Sequence, residues 1–186
     1  MHTPGHAIIN AALLGGLFGH EGAIVLGAIA PDLPIFALYA RERLRGTPEP
    51  TIWSVHYQRP GWLATIHGAH SFPLAALGAL AAWTAGLPAV AVFFVSVFVH
   101  ALGDLPVHAI DAHRHFWPFS QFRYHSPLSY WDTRFHARGV ALVEALLVLA
   151  ASLALHRRGV SPAVLGLLVA VNLGYARNYV RSFVLA

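Results

Sequence analysis

The 186-residue chain has no cysteine and no lysine, one methionine and only eight carboxylates. Without cysteine, disulfide scaffolds, thiolate zinc sites, iron–sulfur clusters and cysteine nucleophiles are excluded. Charged residues make up 11% of the chain, against about 25% in an ordinary soluble domain. Hydrophobic residues reach 56% and mean hydropathy is +0.56, which argues against a disordered chain and against a soluble globule. All 12 basic residues are arginine and the formal net charge is only +4. The clustered basic face of a nucleic-acid binder is missing, so no nucleic-acid partner is expected. Also missing are Gly-x-Ser-x-Gly, a phosphate-binding glycine loop and His-Glu-x-x-His. Histidine is abundant instead: 13 residues, more than all the carboxylates together. An apolar chain of this kind points to a membrane protein that holds a metal or acid–base site.

Four apolar stretches cover residues 7–30, 72–99, 140–155 and 163–175. A membrane span needs roughly 20 apolar residues, and 10–14 more often form a re-entrant or buried helix. Gly86-Leu87-Pro88 divides the second stretch and predicts helices over 71–85 and 88–105. Gly19-His20-Glu21-Gly22 divides the first and predicts short helices over 5–18 and 22–30, a short or re-entrant N-terminal hairpin. Gly159, Ser161 and Pro162 fit a C′ residue, an N-cap and a first helical position. The first residues lack the basic region of a secretory signal. Arginine-rich segments 40–69 and 109–138 fall on the cytoplasmic side by the positive-inside rule, with Arg177 and Arg181 in agreement and Arg157 and Arg158 against. The expected fold is one all-α membrane helical bundle over 1–186, its metal site capped by a polar, aromatic-rich loop region.

The aspartates are the most informative letters. Asp32 lies in Ala30-Pro31-Asp32-Leu33-Pro34 and Asp104 in His100-Ala101-Leu102-Gly103-Asp104, each at the end of a predicted hairpin. An ionisable group at the edge of a membrane helix is costly and signals function. His100 and Asp104 stand one turn apart on one helix face. A nitrogen and a carboxylate oxygen there can converge on one cation at zinc distances of roughly 2.0–2.2 Å. His108 repeats the spacing across Pro106; it either serves a second metal or leaves the face. His70 and His67 precede a helix whose expected N-cap is Ser71. His6 opens the first helix, with His2 four residues earlier. A single helix over 7–30 would hold His6 and Asp32 about 37 Å apart. A hairpin brings His6, Asp32, His70, His100 and Asp104 to one face. Glu144, in the third apolar stretch, is expected to pair with Arg177 or Asn172. His20, His56, His136 and His156 are expected to carry no chemistry.

The second polar region contains Asp111-Ala112-His113-Arg114-His115. Residues two apart share one face of an extended segment, so this run can supply ligands, or a carboxylate that orients ligating imidazoles. Asp104, His108, His113 and His115 are the candidate catalytic residues. Arg114 and Arg123 can grip a phosphate, or act as positive-inside charges. Phe116, Trp117, Phe119, Phe122, Tyr124, Tyr130, Trp131 and Phe135 suit a segment at the membrane interface, a cap with its own core, or both.

The order His6, Pro31-Asp32, His70-Ser71 and His100-x-x-x-Asp104 resembles the bacterial membrane-bound metal-dependent hydrolases, a group similar in motif order to zinc-dependent phospholipase C. Asp111 to Pro118, with Ser126 to Asp132, resembles a subgroup of them, and the likeness covers about residues 2–135. The resemblance implies an all-helical fold and a zinc site with His6, Asp32, His70, His100 and Asp104 as ligands. Asp104 would bridge, and His108 would serve another ion. Only His67-Gly68 stands where many members have His-Arg-Gly, and a later His-x-x-x-Glu pair is absent, which favours one or two ions over three. His67 completes the candidate ligand set. The function this implies is a hydrolase using zinc, or another divalent metal, in the bacterial inner membrane. It would act on a phosphoester or phospholipid through a metal-activated water at the cytoplasmic face. The alternatives are a non-catalytic metal-binding membrane protein (a sensor, transporter or regulatory partner) and a haem binder with paired histidines.

Overall fold

A computed structural model describes residues 1–185, and among these the chain is all-helical with no strand. The helices are α1 (Thr3–Phe18), α2 (Glu21–Ile29), α3 (Leu33–Leu44), the single turn α4 (Glu49–Thr51), α5 (Pro60–Ala69), α6 (Phe72–Thr84), α7 (Pro88–Asp104), α8 (Ala137–Arg157) and α9 (Pro162–Phe183). Gly19, Gly86 and Gly159 have φ of +64°, +71° and +85° and turn the chain between the paired helices, a conformation glycine adopts without steric cost. Ser71 and Ser161 cap α6 and α9, accepting from the Leu74 and Val164 N–H groups at 3.2 and 3.4 Å.

The second helix ends at Ile29, close to the expected Ala30, but the helical path does not stop there. A 3-10 turn, Ala30–Asp32, carries α2 directly into α3. Pro31 and Pro34 both fall in first-turn positions, where proline's missing N–H and fixed φ are tolerated. Glu21–Leu44 is therefore one 24-residue helical path. Together with Pro88–Val107, Ala137–Arg157 and Pro162–Phe183 it is one of four helices long and apolar enough to cross a membrane, while Phe72–Thr84 is apolar but shorter.

Helix α7 is the axis of the packing, lying against α1, α2 and α6; α1 also packs on α8, and α8 on α9. Val92, Ser96, His100 and Asp104 form one buried stripe along α7, as a four-residue spacing dictates. Ser96 donates to the Ile24 carbonyl at 2.6 Å, and the buried Asn10 amide donates to the Ser96 carbonyl and hydroxyl, both at 2.9 Å. These bonds tie α1, α2 and α7 together where an unmet polar group is expensive. At Gly27 a Cβ would lie 2.2 Å from the Phe93 carbonyl oxygen, so α2 and α7 meet backbone to backbone. A Cβ at Gly16 would lie 3.5 Å from the Arg158 guanidinium, which puts the α8–α9 turn at the same end as the α1–α2 turn. The opposite end gathers the start of α1, Asp32, the α5–α6 junction and the end of α7.

Gly27→Ala is expected to lower stability by about 1–3 kcal/mol through overpacking. Gly15→Ala, where a Cβ meets nothing within 4 Å, is expected to raise it by about 0.5–1 kcal/mol. Thermal unfolding of the detergent-solubilised variants checks both signs.

Candidate metal centre

Four side chains from distant parts of the sequence meet at that end. Asp32 comes from the α2–α3 turn, His70 from the residue after α5, and His100 and Asp104 from the last turn of α7. One donor atom from each lies within 4.8 Å of every other. His70 Nε2 and His100 Nε2 are each 3.7 Å from Asp32 Oδ1. They are 3.6 and 3.1 Å from Asp104 Oδ2. Ligands around a tetrahedral zinc at roughly 2.0–2.2 Å stand roughly 3.3–3.6 Å apart, so these edges match a cage of that size.

The tautomers also match. The Nδ1 atoms of His70 and His100 face the Ile66 and Ala28 carbonyls at 2.8 and 2.6 Å. Each Nδ1 therefore carries the proton, and each Nε2 presents a lone pair to the cluster. Both Nε2 atoms are buried and have no hydrogen-bond partner among the described residues. Two orphaned imidazole nitrogens between two carboxylates form a donor set suited to a divalent cation. Thr3 Oγ1 donates to Asp32 Oδ2 at 2.5 Å and turns its other oxygen inward.

Asp104 looks both ways. Its Oδ2 faces the first group, and its Oδ1 lies 2.9 Å from His6 Nε2, 3.3 Å from His108 Nε2 and 2.7 Å from the Met1 amino group. Asp104, His108 and His113 form a second set of mutually close donors. His108 Nδ1 is held at 2.9 Å by Asp111, which Trp131 also supports at 2.9 Å. Burial opposes the charged form of His108, but Asp104 and Asp111 outweigh it and raise its pKa to about 9.

The two sets thus bring together Asp32, His70, His100, Asp104, His108 and His113. His6 and Asp32 do reach one cluster, as the hairpin requires, although His6 hydrogen-bonds Asp104 and stacks on His100 at 3.7 Å rather than joining either set. His115 belongs to neither set; its Nδ1 faces the His70 carbonyl oxygen at 3.1 Å and its ring stacks on Phe72 at 4.9 Å. His67 also lies outside both sets, facing Arg123 Nη2 at 3.3 Å and the Arg114 N–H at 3.4 Å. Glu144 pairs with neither Arg177 nor Asn172; its Oε1 accepts from Tyr175 at 2.7 Å and faces His2 Nδ1 at 3.0 Å. His125 faces the Ala109 carbonyl at 2.8 Å, and Asp132 binds Arg134 at 2.6 Å. Thr3 and the Asn10–Ser96 pair escape sequence reasoning, since single polar letters in apolar helices carry no spacing signal.

No protein-family model, curated protein or solved structure matches the chain. The likeness to the membrane-bound hydrolases therefore rests on motif order alone.

Burial, with Arg123 and Arg114 adding to it, pushes the His67 pKa from 6.5 down to about 4. Between those values the unfolded chain binds more protons than the folded one. His67 is thus expected to cost no stability above about pH 6.5 and progressively more as pH falls toward 4. Denaturant midpoints measured across that window with divalent metals chelated should fall, and His67→Gln should flatten the slope.

Proposed function

We propose that the chain is a membrane-embedded, zinc-dependent hydrolase with one or two ions, acting on a phosphoester or lipid-like substrate. The observation that carries this is the cage formed by Asp32, His70, His100 and Asp104, whose four imidazole–carboxylate edges are 3.1–3.7 Å. Nitrogen and carboxylate donors suit zinc, which hydrolyses without redox chemistry. A divalent cation supplies Lewis-acid polarisation and makes water nucleophilic near neutral pH. The residues around the cage do the rest. Asp104 shares its two oxygens between the donor sets, in the manner of a bridging carboxylate, and Asp111 orients His108. Arg114, Arg123, Arg134 and Arg138 lie in the segment around the site, and with Arg41, Arg43, Arg45 and Arg59 they outnumber Arg157 and Arg158 at the opposite end, which supports a cytoplasmic site by the positive-inside rule. The motif order shared with zinc-dependent phospholipase C supports the same class of reaction.

One observation favours a second reading. Of the four cage residues only Asp32, at 14% exposure, reaches the surface appreciably. A cage closed to substrate would make the chain a non-catalytic metal-binding membrane protein, such as a sensor, transporter or regulatory partner.

Metal analysis of the purified protein tests the site, and turnover of a panel of phospholipids and soluble phosphoesters separates the readings. The expected result is one or two zinc ions per chain, lost in His100→Ala and Asp104→Ala variants that still fold. Full occupancy in those variants would overturn the ligand assignment, and bound metal without turnover would favour the second reading. Asp111→Asn is expected to weaken zinc affinity about 10–100-fold, because His108 loses the group that orients it.

A further inference from the structure

Beside the candidate metal centre lies a group with more hydrogen-bond donors than acceptors. His67 is buried at 2% exposure. Its Nε2 faces the Arg123 guanidinium and its Nδ1 faces the Arg114 backbone N–H. Both neighbours can only donate. A neutral imidazole has one acceptor nitrogen and one N–H, so one of these contacts sets donor against donor. Arg114 Nε is also buried with no partner, and its Nη1 reaches only Gln121. The arginines with carboxylate partners among the described residues are Arg41, Arg45 and Arg134. Neither Arg114 nor Arg123 has a carboxylate partner among the described residues, so His67 stands between the Arg123 guanidinium and the Arg114 N–H with no anion among them.

The location gives this surplus a meaning. The His67 ring meets His113 edge to face, centroids 6.2 Å apart, and His113 stacks on His70 at 4.0 Å. The surplus donors thus adjoin the second set of metal donors through His113 and stand one imidazole away from the first. We propose that Arg123, Arg114 and His67 form a subsite for a phosphate-type oxyanion next to the metal centre. A tetrahedral oxyanion offers several acceptor oxygens, enough for donors that converge from α5 and from the 109–136 segment. The substrate meaning of this subsite rests on the hydrolase proposal; its capacity to bind an anion does not. His67 then belongs to substrate recognition and not to the metal. The phosphate can come from a lipid headgroup or from a soluble compound, since the donors recognise the shared group.

The test uses the full chain in a phosphate-free, non-ionic detergent, stripped of metal by a chelator. Binding of inorganic phosphate is measured by calorimetry. The stripped protein is expected to bind phosphate, and Arg123→Ala to weaken that binding roughly 10–100-fold. Arg123→Lys, which keeps the charge but loses the planar fork, should fall between the two and guards against a variant that fails to fold. His67→Gln should weaken phosphate binding and leave zinc uptake unchanged. Absence of phosphate binding by the stripped wild-type chain overturns the subsite, as does binding that survives both Arg123→Ala and His67→Gln. Phosphate binding in a chain that takes up no zinc upholds the subsite while the hydrolase proposal fails. Zinc uptake with no phosphate binding gives the reverse. A short-chain phosphatidic acid, used below its critical micelle concentration, identifies the source. Tighter binding than inorganic phosphate supports the subsite with a lipid headgroup as its ligand, and equal binding supports it with a soluble phosphate.

Discussion

Two neighbouring carboxylates, one buried and one largely shielded, have to be neutralised, and most of this structure answers that demand. Asp104 is 2% exposed and Asp32 14%. Removing a carboxylate from water costs several kcal/mol even after the protein relaxes. Two of them sharing a pocket repel each other as well, unless positive charge lies between or around them. The surrounding groups are arranged to that end: imidazoles from α1, α7 and the α5–α6 junction, a hydroxyl from Thr3 and an amino group at Met1. Hydrogen bonds handle the outer oxygens, and the inner ones are left to imidazole nitrogens that carry lone pairs. An inward-facing set of lone pairs and negative oxygens is a place that a cation would stabilise.

The topology explains how an apolar chain with few charges builds such a place. Paired helices turn on glycines at one end, so their polar tips return together at the other. The stretch between α7 and α8, which has only two single 3-10 turns, then lies over the tips and brings His108, Asp111, His113, Arg114 and Arg123 with it. Polar chemistry concentrates at one end of the bundle, and the outer faces of the helices stay apolar. Leu17, Leu26, Trp83 and Leu173 are among many large apolar side chains left exposed, on helices of which four are long and apolar enough to cross a membrane.

Much of this was legible in the residues wherever the signal was local. The one-turn spacing of His100 and Asp104, the caps at Ser71 and Ser161 and the glycine breaks all depend on neighbours in sequence. The long path from Glu21 to Leu44 was hidden because Pro31 and Pro34 resemble stops, and only their first-turn placement makes them harmless. The partners of Glu144 were hidden because Tyr175 and His2 reach it across tertiary space. His67 and His70 are three residues apart and look equivalent as letters. Their difference comes from tautomer and surroundings: a carbonyl acceptor at His70, cationic donors at His67.

The close contact at Gly27 has a chemical side. With α2 and α7 touching backbone to backbone, the carbonyl of Ala28 is delivered to His100 Nδ1 at 2.6 Å. That carbonyl keeps the proton on Nδ1 and leaves Nε2 bare. If α2 slid by one residue, the next carbonyl would point about 100° away around the helix. The imidazole could then carry its proton on either nitrogen, and a metal donor would become a hydrogen-bond donor. The alignment of two apolar helices thus sets the protonation pattern of an imidazole, so a purely mechanical displacement in the bundle would be felt at the site as a change of chemical identity.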